Sequence, residues 1–217
     1  MRAVERLLVR SGLPVSYSQG FNPRPVVSLP CPRPVSVATE GDPVVVSLEE
    51  PVEPGEVLSR LNERTPVGMR FLRAEPLPPR RPPRVLAAAY RLELTESGVP
   101  AVQHRLEELK AQPAWLVERR TSPKHGGRGR PMTPRPVDLK PLLRRLAVEG
   151  RVLELTLQVQ GDRWARPSEV LRLLGLDERG DLAELVRTAV ECGTPPGGDR
   201  TPRPGQEGAE EPWPRKC

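Results

Sequence analysis

Prolines constrain residues 11–34, S-G-L-P-V-S-Y-S-Q-G-F-N-P-R-P-V-V-S-L-P-C-P-R-P, more tightly than any other part of the chain. Pro14, Pro23, Pro25, Pro30, Pro32 and Pro34 each fix φ, restrict the preceding residue and remove a backbone donor. That excludes a helix or a central strand over most of the stretch. Gly20 lies between Tyr17 and Phe21 and permits φ > 0, so Q-G-F-N-P reads as a turn. Short β-like runs at 15–18 and 26–29 flank it. A stiff loop displaying Tyr17, Ser18, Gln19, Gly20, Phe21, Asn22 and Arg24 is a place where a scaffold presents function. The alternative is a proline-stiffened hairpin that only closes a sheet.

Around this stretch the apolar pattern switches between helical and strand periods. Residues 2–11 put Val4, Leu7 and Leu8 on one helical face, with Gly12 as the stop and Pro14 beyond. Residues 43–48 read as a strand, 54–65 as a helix with Val57, Leu58 and Leu61 inward, and 68–75 as a strand. A Pro- and Arg-rich linker at 76–87 follows, too rich in proline for a helix or a central strand. The order then repeats: a strand at 88–95, a helix at 100–112, a strand at 115–121 and a basic loop. After them come a strand at 151–159, a helix at 166–174 and a closing strand at 182–191, although that last segment has a helical pattern. Residues 137–149 fit either a helix begun at Asp138 or a strand interrupted at Pro141. The tail, 193–217, has the composition of disorder.

These elements predict an α+β fold of tandem ferredoxin-like (split βαβ) units, at 1–75 and 88–192. The first unit is expected to lack its opening strand, because Met1 stands directly before an amphipathic helix with no N-cap. An N-terminally truncated unit is the expectation.

Net charge is +6, but only four of the 34 basic residues are lysines, and an arginine excess beside abundant Ala, Pro, Gly and Leu is what GC-rich coding produces. The distribution of charge says more than its total. Residues 35–77 carry eight acids and four bases, whereas residues 119–145 carry nine bases and one acid, Asp138. Arg119, Arg120, Lys124, Arg128, Arg130 and Arg135 therefore form a candidate phosphate-contacting segment. Single-strand binding by base stacking fits poorly, since aromatics are 3% of the chain.

Catalytic chemistry finds little support. Cys31, Cys192 and Cys217 are far apart, which is neither a disulfide framework nor a zinc pattern. His104 falls on the helix face opposite Val102, Leu106 and Leu109, and His125 lies in the basic loop. The G-G-R-G-R-P loop does not follow a P-loop or dinucleotide pattern. No metal and no cofactor is expected. There is no apolar run long enough for a membrane span and no signal peptide, so a cytoplasmic protein is the default.

The run L-P-V-S-Y-S-Q-G-F-N-P-R-P, preceded by E-R-L-L-V-R-S-G, resembles the radical SAM-associated domain of unknown function. Members of that bacterial family are encoded beside, or fused behind, radical SAM proteins with a cobalamin-binding-like domain. Weaker similarities lie at 51–62, in V-D-L-K-P at 137–141 and in R-P-S-E-V-L at 166–171. The family's usual opening strand, and its S-H-L-D helix start, are missing. The resemblance implies partnership with a radical SAM enzyme in RNA modification or maturation, and a chain that is an accessory without catalysis of its own. Two other readings stay open: an RNA-processing enzyme of tandem ferredoxin-like type, and a mis-started or decayed copy.

Overall fold

The computed structural model describes residues 2–77, 83–120, 134–161, 163–177 and 179–193. The fold is α+β, as expected, with one principal sheet and two smaller β pairings. Along the chain lie α1 (Arg2–Arg10), β1 (Val27–Ser28), β2 (Ala38–Thr39), β3 (Val45–Val46) and α2 (Pro54–Asn62). Then follow β4 (Arg84–Glu93), α3 (Gly98–Ala111), β5 (Leu116–Arg120), β6 (Pro134–Asp138), β7 (Leu143–Glu149) and β8 (Val152–Gln158). The described chain closes with α4 (Pro167–Leu173), α5 (Gly180–Glu184) and β9 (Val186–Gly193).

The principal sheet has the order β2-β9-β4-β8-β7. β4 runs antiparallel to both β8 and β9, and β7 antiparallel to β8, while β2 joins β9 in parallel. Alternation explains β8: Leu153, Leu155 and Leu157 are buried, and the residues between them are only partly covered. A one-residue slip would turn all three leucines outward. At about 2 kcal/mol per leucine, that is roughly 6 kcal/mol, comparable to the whole stability of a small domain. The register is therefore fixed by burial. Val102, Leu106 and Leu109 of α3 and Val170 and Leu171 of α4 share the core with these leucines and with Ala88, Tyr90 and Leu92 of β4. Arg105 Nε on α3 donates to the Leu173 carbonyl of α4 at 2.9 Å, joining the two helices.

A second, smaller core gathers Val4 and Leu8 of α1 with Leu13, Val15 and Leu61. The expected α1 and α2 are present, with Gly12 at φ +67° ending the first. The strands expected around them shrink. Residues 15–18 make only single bridges, Val15 to Leu48 and Tyr17 to Pro25, and the run at 26–29 reduces to β1. Prolines at 14, 25 and 30 remove the donors a longer ladder requires.

Residues 68–75, read as a strand, are irregular instead. The reason is a side chain: Asn62 Nδ2 donates to the Phe71 carbonyl at 2.9 Å, and its Oδ1 accepts the Phe71 N–H at 2.8 Å. One asparagine thus occupies both backbone groups a neighbouring strand would have used, and it seats Met69 and Phe71 against the smaller core.

Elsewhere the ambiguous segments resolve. Residues 137–149 are neither one helix nor one strand. The end of β6 passes through a 3-10 turn, Lys140–Leu142, which holds Pro141, into β7. The helical pattern at 182–191 splits into α5 and β9. β4 begins at Arg84, inside the segment expected as linker, and β9 runs to Gly193; residues 194–217 lie outside the described residues.

Asn62→Ala should lower the unfolding free energy by about 1–2 kcal/mol, because two backbone groups of Phe71 lose their partner. Chemical denaturation checks this, and an unchanged midpoint would remove Asn62 as the determinant of the irregular segment.

Candidate functional site

The turn expected at Q-G-F-N-P is the tip of a short hairpin with an unusual root. Ser16 N–H donates to the Ser47 carbonyl at 2.9 Å, Val26 N–H to Ser16 O at 2.8 Å, and Ser47 N–H to Val26 O at 3.1 Å. Three segments thus bond one another in a closed circuit, so the root has few free ladder groups through which to slip. Above it, Ser18 N–H donates to Arg24 O at 2.8 Å, and Ser18 Oγ accepts the Arg24 N–H at 3.1 Å. The five residues between, 19–23, form the tip. Gly20 has φ +144°, outside the range a side chain tolerates, as the sequence required.

Among the described residues, the side chains of 19–23 have no hydrogen bond or ion pair. Ser18, Gln19, Asn22 and Arg24 are exposed, Tyr17 is 42% exposed, and Phe21 is fully exposed at 106%. A phenylalanine with no burial gains nothing for folding. Of the seven residues singled out, Ser18 alone makes a side-chain hydrogen bond among the described residues. Beside the hairpin foot, Pro25 and the outer face of α1 (Glu5, Arg6, Val9, Arg10) line a shallow groove of about 270 Å³.

The basic segment is not gathered in the same way. Arg119 Nε and Nη2 donate to Glu169 at 2.7 and 2.6 Å, and Nη2 also meets the Trp164 carbonyl at 2.7 Å. Its side chain is only 17% exposed, so it is a core tie between β5 and α4 rather than a free phosphate ligand. Arg135 is exposed on β6, where its backbone pairs with that of Arg119. Arg120 pairs through its backbone with Pro134. Lys124, Arg128, Arg130 and His125 lie outside the described residues. Asp138, the lone acid of the segment, accepts N–H bonds from Trp115 at 2.8 Å and Lys140 at 3.0 Å, a local capping role. His104 is exposed beside Glu108, 3.6 Å away. Among the described residues, no three His, Cys, Asp or Glu side chains gather where a metal could sit, and no helix is long and apolar enough to cross a membrane.

Sequence reasoning missed the principal polar cluster. Arg187 on β9 is completely buried. Its Nε and Nη2 lie 2.8 and 2.6 Å from Asp42 Oδ1, Nη1 is 3.1 Å from Cys31 Sγ, and Nη2 donates to the Cys31 carbonyl at 3.0 Å. Thr39 Oγ1 completes the carboxylate's shell at 2.7 Å. Burial works against the Arg187 charge, but the guanidinium is held above its ordinary range, by the Asp42 carboxylate at neutral pH and additionally by Cys31 where that thiol is ionised. Burial also pushes the Cys31 thiol up, which Arg187 only partly offsets, so the thiol stays protonated at neutral pH. The cluster is a lock between segments, not an activated nucleophile. Arg187 lies 145 residues from Asp42 and 156 from Cys31, and no periodicity links them.

The profile of a family described as an uncharacterized protein conserved in bacteria (DUF2344) matches residues 1–167. The chain belongs to this family. No curated protein and no solved structure matches it. The DUF2344 match spans α1, the hairpin and the principal sheet as far as the start of α4; Arg187 lies beyond it.

Gly20→Val should lower stability by about 1–2 kcal/mol. A Cβ there would meet nothing within 4 Å, so the cost is one of backbone conformation rather than collision. Gly20→Ala should cost nearly as much. A valine variant as stable as the parent in denaturant would show that the tip does not require positive φ.

Proposed function

We propose that this DUF2344 member is a cytoplasmic binding module, without catalysis of its own, whose hairpin face docks a radical SAM enzyme. RNA is that enzyme's substrate in this reading, in modification or maturation, and the basic segment 119–145 supplies contacts to it. One observation carries the proposal. A fully exposed phenylalanine is held on a glycine–proline turn whose root is closed by three mutual hydrogen bonds. Rigid presentation of an aromatic lowers the entropy a partner must remove on binding. The strand order β9-β4-β8-β7, with α3 and α4 on one face, supports the split βαβ reading for the second unit. For residues 2–77, the only support is two-residue strands.

Arg119 weakens the RNA half of the reading, since its charge is already answered by Glu169. The protein-docking half does not depend on it. Affinity purification of the full chain from a bacterium that encodes it, with the captured protein identified by mass spectrometry, tests the docking half. A radical SAM protein should be recovered. Phe21→Ala should weaken that complex by about 2 kcal/mol, roughly thirtyfold, the loss typical of a central aromatic anchor. Recovery of no radical SAM protein, or equal recovery by the variant, would contradict the proposal.

A further inference from the structure

The two edges of the principal sheet are finished differently. One is β2, two residues long, with Pro43 shortly after it. The other is β7, L-R-R-L-A-V-E, seven residues with neither proline nor glycine. A long, regular edge strand is a template for another chain unless something blunts it. The register shift between Leu143 and Arg145 touches only the start of β7, and residues 145–149 run in unbroken register with β8. Gly150, at φ +58°, and Arg151 alone join β7 to β8, so Glu149 and Val152 face each other as a hydrogen-bonded pair. Alternation then turns the N–H and C=O of Arg145 and Ala147 toward β8, and those of Leu146 and Val148 away from it. No other backbone group among the described residues bonds Leu146 or Val148. Their side chains are only half-buried, at the rim of the main core.

We infer that β7 pairs antiparallel with β7 of a second copy of this chain, about a two-fold axis through Ala147. What selects a second copy is the strand's own complementarity. The axis sets Leu146 opposite the partner's Val148 as a hydrogen-bonded pair. It sets Arg145 opposite the partner's Glu149 as an unbonded pair, in which side chains approach most closely. Each contact occurs twice, as two-fold symmetry requires. Within one chain Arg145 already meets Glu149 and Glu154. Across the axis it exchanges its own Glu149 for the partner's Glu149 and keeps Glu154. The alanine at the axis is small enough for the two backbones to meet. Moving the axis to Leu146 sets Arg145 opposite the partner's Ala147, and moving it to Val148 sets Arg145 opposite the partner's Arg151. Both shifts forfeit the ion pairs, so charge fixes the register. An unrelated strand finds the same backbone groups, but only a second copy always carries both charges at the matching spacing.

Charge exchange tests this by sedimentation velocity on the full chain. The parent should be dimeric at about 100 μM, above the roughly micromolar dissociation constant of a short edge contact. Arg145→Glu sets glutamates opposite each other, and Glu149→Arg sets arginines, so each variant alone should dimerise about tenfold more weakly or worse. Mixed in equal amounts, the two variants should form a heterodimer, because each chain supplies the charges the other lacks. Repair within one chain does not produce that result, since neither variant has opposite charges at 145 and 149. A mixture that stays monomeric overturns the inference, and so do single variants that dimerise as the parent does. Amide exchange of the parent answers the same question without a substitution. Leu146 and Val148 should be protected at about 100 μM and exchange rapidly after roughly hundredfold dilution, while Ala147, bonded to β8, stays protected at both. Rapid exchange of Leu146 and Val148 at both concentrations overturns the inference. Protection that dilution does not change also overturns it, and assigns the edge to another segment of this chain.

Discussion

The Arg187 guanidinium, buried between β9 and the segment carrying Cys31 and Asp42, is the contact on which the arrangement of the rest depends. Removing an arginine from water costs several kcal/mol, so such a group is retained only when every donor is answered. Here Nε, Nη1 and Nη2 all find acceptors, and no buried side-chain nitrogen or oxygen among the described residues lacks a partner. A well-packed apolar replacement of the whole cluster could be equally stable. What the ion pair adds is selectivity. Only one placement of the segment satisfies the guanidinium, and any other leaves a buried charge alone.

That selectivity is transmitted through short distances along the chain. Ala38 N–H donates to Leu185 O at 3.2 Å and Glu40 N–H to Arg187 O at 2.9 Å, adding β2 to the edge of the principal sheet. Val37 enters the main core beside Cys31. The cost is visible at Ser36, a non-glycine residue at φ +73°, a strain of about 1 kcal/mol or more. Burial of Val37 and the β2 pairing more than offset it. Cys31 lies three residues beyond β1, the outgoing strand of the hairpin, and Asp42 lies three residues before β3, which closes the hairpin root. The lock therefore fixes both chains that hold the Phe21 tip, and it links the smaller core to the larger.

Local signals recovered much of this from the sequence. α1, α2, α3, α4, β4 and β8 each show their period in a run of apolar residues, and the turn at Gly20 announces itself through glycine and proline chemistry. The closing strand expected at 182–191 does form, as β9 from Val186 on, paired with β4 and β2, and only its first residues keep their helical pattern, in α5. What escaped was set by side chains reaching far along the chain. Asn62 diverts residues 68–75 from a strand. Arg187 was invisible for the same reason: a charged residue inside a strand predicts exposure unless its partner is known, and Asp42 is 145 residues away. Arg119 erred in the opposite direction, since a basic run suggests solvent while Glu169 draws this side chain inward. The hairpin residues were legible because nothing distant competes for them.

The central claim is that one guanidinium holds residues 31–42, and with them the hairpin, on the principal sheet. Hydrogen exchange of the backbone amides in Arg187→Met tests it most directly. Protection of Ala38 and Glu40 should fall by about a hundredfold, the equivalent of about 3 kcal/mol for breaking a buried pair, and protection at Ser16, Val26 and Ser47 should fall with it. Amides of β4 and β8 that bond each other should keep most of theirs. Undiminished protection at Ala38 and Glu40, or an equal loss throughout β4 and β8, would contradict the account, because Arg187 would then be either dispensable or an ordinary core residue.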